Sequence, residues 1–155
     1  MTYAFLTAED VLSRIRDQHR NDLRDVDPLA SPADPDAEAA GEAIELSCES
    51  MALAKVRSAL AQRYDVATLF AATGPARSSL LALHVLNVFV YLLYRRINPR
   101  KVPDVVKEDH DETLAWLDRV AAGKEAPDFP PAVPEDNNAG TARFGGGQQV
   151  KGHYF

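Results

Sequence analysis

Between Leu80 and Tyr94 nearly every residue is apolar, and only His84 and Asn87 interrupt the 15-residue run. Written as a helix, such a run is apolar on most sides and must be covered by other elements rather than by water. A bilayer span needs about 20 apolar residues, so the run is too short for one. Its two polar positions weaken a membrane reading further. The run is therefore expected to be the central helix of a packed domain. A chain of 155 residues has room for one such core with some residues left for a tail. The 46% hydrophobic and 26% charged residues are those of an ordinary globular protein rather than a disordered one.

The partners of that helix are legible on either side. Thr7, followed three residues later by Asp10, has the spacing of a reciprocal cap at a helix start. Val11, Leu12 and Ile15 then form one apolar face, with Arg14, Arg16, Asp17 and Arg20 elsewhere. Pro28, Pro32 and Pro35 lie in a loop, and either Ser31-Pro32 or Asp34-Pro35 suits a helix start with proline in the first turn. From there to about Tyr64 one long helix is expected. Leu53, Val56, Leu60 and Tyr64 recur at helical spacing beside a stripe of Ile44, Cys48 and Met51, with Gly41 a weak point. Asp65 to Pro75 reads as a connection in which Val66 to Ala72 can form a short helical turn. Pro75 or Ala76 should open the central helix, and Asn98-Pro99 should end it, after Arg95 and Arg96 complement its dipole. Pro103 can open a last helix with Val106, Thr113, Leu117 and Val120 buried and Trp116 beside them, and Gly123 is its natural stop. The expected fold is all-α, a small bundle of about four to five helices. Residues 1–123 would form the body and 124–155 an extended tail rich in proline and glycine, which cannot build a core.

Little in the pattern points to catalysis. Glu108, Asp109, His110, Asp111 and Glu112 could bring two or three carboxylates near one cation, but five adjacent residues wrap the whole helix and read as a solvated face. His84 has no Ser, Cys or Asp partner assignable from spacing and reads as a satisfied core or interface histidine. The single cysteine, Cys48, reads as a small buried hydrophobe and rules out an intrachain disulfide. Gly145 to Gly147 lack the Lys and Ser or Thr of a phosphate loop and read as a spacer. Met1 to Leu6 has neither a basic segment nor an apolar run, so no secretory signal is expected there. No catalytic residue, cofactor or metal is expected.

Two features point to contacts instead. Arg95, Arg96, Arg100 and Lys101 gather four positive charges at one helix junction of a chain whose net charge is -6. They either complement the helix dipole or face DNA or an acidic partner. In the tail, Arg143, Phe144, Val150, His153, Tyr154 and Phe155 are spaced around the glycines as isolated anchors, the pattern of a segment that docks in a neighbour's groove or on a sheet edge.

The order of several segments resembles the Mu-like phage head-tail joining proteins. The start Met1-Thr2-Tyr3-Ala4 leads into Leu6-Thr7-Ala8-Glu9-Asp10, and Leu60-Ala61-Gln62-Arg63-Tyr64 closes the long helix. Tyr91-Leu92-Leu93-Tyr94-Arg95-Arg96 follows, then Glu112-Thr113-Leu114-Ala115-Trp116-Leu117, Val120-Ala121-Ala122-Gly123-Lys124, and the aromatic tail after Arg143-Phe144. The resemblance spans nearly the whole chain. It implies a helical adaptor in a dodecameric homo-oligomeric ring under the portal protein of a DNA-filled capsid. That ring would join the portal to a tail-side stopper or tail-completion protein, with a channel through which DNA passes without sequence-specific binding and with no membrane partner. The C-terminal segment would bind the portal, and the protein would sit in the virion after assembly in the host cytoplasm. The alternative is a cytoplasmic helical regulator that binds DNA or a protein through the Arg95 to Lys101 cluster, although no helix-turn-helix spacing supports it.

Overall fold

A computed structural model describes residues 3–16, 20, 22–23, 35–97 and 99–132. Among these the protein is all-α, with five helices and no strand. They are α1 (Ala8–Arg14), α2 (Pro35–Leu60), α3 (Val66–Ala71), α4 (Ser79–Ile97) and α5 (Asp104–Ala121), with a single 3-10 turn at Gly74–Ala76. The tail anchors Arg143, Phe144, Val150, His153, Tyr154 and Phe155 lie outside the described residues.

As its composition demands, α4 is the hub, packed against α2, α5 and α1. Leu81, Val85, Val88 and Phe89 are fully buried, and burial of a side chain the size of Phe89 contributes about 1.5–3 kcal/mol. Leu80 and Leu83, at its N-terminal end, remain about 41% exposed. The helix starts at Ser79 and not at Pro75. Gly74 takes a left-handed φ of 57° and Pro75 enters the 3-10 turn. Ser78 then receives the amide of Leu81 on its hydroxyl and that of Ala82 on its carbonyl, supplying the cap that a proline start would lack.

The reciprocal cap of α1 forms as the spacing predicts: Thr7 Oγ1 accepts from the Asp10 amide, and Asp10 Oδ2 accepts from the Thr7 amide. Arg77 locks this cap to the body with two bonds to the Asp10 carboxylate and one to the Phe5 carbonyl. Val11 and Ile15 are buried, but Leu12 points outward at 43% exposure, because a seven-residue helix presents only a narrow face to α4. α2, described from Pro35 onward, passes through Gly41 unbroken and ends at Leu60, four residues before the expected limit. Cys48, Leu53, Val56 and Leu60 are buried, whereas Met51 is half exposed.

At the end of α5, Gly123 takes φ 71°, and its amide reaches the Val120 carbonyl while that of Lys124 reaches Arg119. This paired bonding is the left-handed stop that glycine allows. The Arg63 side chain adds a bond from Nε to the Ala121 carbonyl, and a Cβ on Gly123 would fall 2.4 Å from its guanidinium.

The proline-rich stretch after Gly123 does not leave the body at once. Glu125 accepts from Trp116 Nε1 and Arg119 Nε, and Phe129 sets its ring edge-on to Tyr64 and Trp116. The Pro130 carbonyl accepts from the Asp65 amide, and the Ala132 amide donates to the Arg63 carbonyl. Pro131, which has no N–H, sits at the one position in this short antiparallel bridge where none is used.

Candidate functional site

Among the described residues, the basic corner is the candidate site that the chain builds most clearly. α4 ends at Ile97 and α5 starts at Asp104, so Arg95, Arg96, Arg100 and Lys101 surround one tight connection, all exposed. Lys55 of α2 joins them: it and Arg95 both act on the buried His110 ring, opposing its protonation. Beside this corner a shallow groove of about 260 Å³ opens between α2 and the end of α4. Ile44, Ser47, Cys48 and Met51 line it on one side and Arg96 on the other. Spacing alone had assigned the corner to the α4–α5 junction, while Lys55 and Met51 join it only through the packing of α2 on α4.

The acidic run wraps α5 as expected, but it is not wholly a solvated face, because two of its members turn toward the body. Asp109 pairs with Arg14 at 2.8 Å and ties α5 to α1. His110 is buried, with its ring stacked 3.8 Å from that of Tyr91, and Asp111 bonds to its Nδ1. Burial holds His110 below its ordinary pKa, against the Asp111 hydrogen bond. Glu108, Asp111 and Glu112 face outward. No group of three His, Cys, Asp or Glu among the described residues is placed to hold a metal ion.

His84 is the interface histidine that its setting suggests. Its ring stacks on Trp116 with centroids 3.9 Å apart, and Nδ1 lies 3.1 Å from Thr113 Oγ1. Asn87 donates to the same hydroxyl. Nε2 is buried without a hydrogen-bond partner. Burial, with a smaller contribution from Arg119 and against Glu125, lowers the pKa to about 4, so the ring is neutral near pH 7. Cys48 is 2% exposed, and burial raises its thiol pKa.

Sequence reasoning missed the two carboxylates at the heart of the α2 interface. Glu45 and Glu49 are 0% and 1% exposed. Glu49 accepts the backbone amides of Phe5 and Leu6 on Oε1 and of Ala4 on Oε2, at 2.8–2.9 Å. Glu45 accepts Arg20 through both oxygens, at 2.7 and 2.8 Å, together with the Tyr3 hydroxyl. Burial, followed by the Glu45 hydrogen bond, raises the Tyr3 pKa, and the Glu45 hydrogen bond raises that of Arg20. A signal was present: Glu45 and Glu49 fall on the same helical stripe as Ala52, Val56 and Leu60, all fully buried. Carboxylates on a core stripe call for donors.

No helix among the described residues is long and apolar enough to cross a membrane. No curated protein and no solved structure matches the chain. The model of the family described as "Bacteriophage Mu, Gp36" matches residues 5–144, which takes in every described helix, the docked proline-rich stretch and the Arg143-Phe144 pair. With that match extending over most of its length, this helical chain belongs to the bacteriophage Mu Gp36 family.

Proposed function

We propose that the chain is a virion structural protein, the adaptor of a head-tail connector. Copies pack side by side in a dodecameric ring beneath the portal protein and join the DNA-filled capsid to a tail-side stopper or completion protein. The genome passes through the ring. The role is one of assembly, without turnover, and its place is the head-tail interface of a particle assembled in the host cytoplasm. The observation that carries this reading is the family match across residues 5–144. The net charge of -6 suits a channel wall that must release DNA rather than hold it.

In this reading Arg143, Phe144, Val150, His153, Tyr154 and Phe155 grip the portal. Deleting residues 143–155 is expected to leave a folded body, checked by circular dichroism, that no longer joins heads to tails. Heads that still acquire tails with the truncated protein would contradict the proposal. The exposure of Arg95, Arg96, Arg100 and Lys101 favours one other reading, a helical regulator that binds DNA or a protein through that corner. A DNA titration across salt separates the two, because a steep loss of affinity with added salt belongs to the regulator.

A further inference from the structure

We infer that a second copy of this chain docks the outer flank of its α5, carrying Val105, Glu108 and Glu112, on the α2–α4 face formed by Met51, Lys55 and Arg95. The inference deepens the ring reading above and rests on it for the expectation that copies meet.

The receiving face is apolar and basic together. Met51 is 50% exposed at the mouth of the groove that Ile44, Ser47 and Cys48 line. Lys55 follows one turn later on the same side of α2, and Arg95, one turn beyond the Tyr91 ring that stacks on His110, lies with Lys55 within electrostatic reach of that histidine. Lys55 and Arg95 are both exposed. The docking flank is apolar and acidic together. Val105 is 64% exposed, the most exposed large apolar side chain among the described residues. Glu108 and Glu112, three and seven residues on, share its side of α5 and are exposed. Each face therefore offers one uncovered apolar side chain beside two charges, and the charges are of opposite sign on the two faces.

The two faces point away from each other. His110, which feels Lys55 and Arg95, marks the side of α5 turned toward the basic face. At about 100° per residue, Glu108, Glu112 and Val105 lie about 140–160° round the helix from it. One copy cannot bring its own two faces together, and two copies cannot satisfy both at once across a two-fold axis. A repeated head-to-tail contact remains, the kind that closes into a ring when the rotation between copies divides a full turn. Charge complementarity at such a contact sets register and rejects wrong approaches as much as it adds affinity.

The test is a charge exchange on the full chain, read by sedimentation velocity and native mass spectrometry at low salt. Wild type is expected to self-associate, and Lys55→Glu with Arg95→Glu, or Glu108→Lys with Glu112→Lys, should each weaken association by about tenfold or more. An equimolar mixture of the two double variants should recover it, since each reversed face then meets its reversed partner. Circular dichroism of both variants controls for folding, and the mixture itself excludes a general loss of structure. A wild-type chain that stays monomeric, double variants that associate like wild type, or a mixture that fails to recover would each overturn the inference. Incorporation into particles distinguishes this failure from failure of the functional reading: charge-reversed variants present there at normal copy number leave the adaptor standing and remove only this contact.

Discussion

The fold buries polar groups in two places and treats them in opposite ways. Where the N-terminal segment crosses α2, two fully buried carboxylates are saturated with donors: three backbone amides on Glu49, and Arg20 with the Tyr3 hydroxyl on Glu45. Where α4 meets α5, the polar groups are kept neutral. Two ring stacks, His84 on Trp116 and Tyr91 on His110, flank the small Asn87–Thr113 cluster, and one ring nitrogen goes without a partner. A buried charge tolerates no missing partner, whereas a neutral ring nitrogen can lack one at a cost of about 1–3 kcal/mol. The first interface is therefore specific and brittle. The second is tolerant of substitution but sensitive to protons.

The largest break in this comparison is Glu49→Ala, which strands three amides in a dry interface and should cost about 3–5 kcal/mol in chemical denaturation. Glu49→Gln turns an amide donor toward the Ala4 N–H and should cost less, about 1–3 kcal/mol. Acid probes the other interface. His84 titrates at about 4 in the fold against about 6.5 when unfolded. The unfolded chain thus takes up the proton first, and stability falls as pH drops from about 6.5 to 4, by about 3 kcal/mol in all. His110 contributes in the same direction. Asp10, lowered chiefly by its hydrogen bond from Arg77, loses its contribution as pH falls from the ordinary carboxylate range toward its own lower pKa. His84→Phe keeps the stack and should remove the larger part of the loss across that window in a pH series of denaturation curves; an unchanged slope would assign the acid sensitivity elsewhere.

Thr113→Val is a smaller change at the same interface. It removes the hydroxyl shared by His84 and Asn87 and should cost about 1–2 kcal/mol in thermal unfolding. Smallest is Arg14→Ala. It breaks a pair whose side chains are 36% and 30% exposed, so a shift below about 1 kcal/mol is expected.

The same contrast explains what the sequence could reveal. The α4 core, the Thr7–Asp10 cap and the stop at Gly123 were all legible, because each is written in neighbouring residues. Glu45 and Glu49 share the Val56 and Leu60 stripe, which could have marked them as buried, but their partners lie 25 to 45 positions away and no local pattern names them. Leu12 and Met51 failed the other way: helical spacing gives the angle between two apolar residues, but a third element decides which of them is covered. Phe129 was hidden by four surrounding prolines that signal an extended chain, and an extended chain can still pack one ring on a body. Of the candidate site, the basic corner could be read from sequence, and its extension to Lys55 and Met51 could not.

The measurement that tests the adaptor most directly is quantitative mass spectrometry of purified particles and of the soluble lysate fraction, with this chain counted against the major capsid protein. The account predicts enrichment in particles at a low, ring-like copy number. Confinement of the chain to the soluble fraction would contradict it and turn attention to a regulator acting through the Arg95 to Lys101 corner.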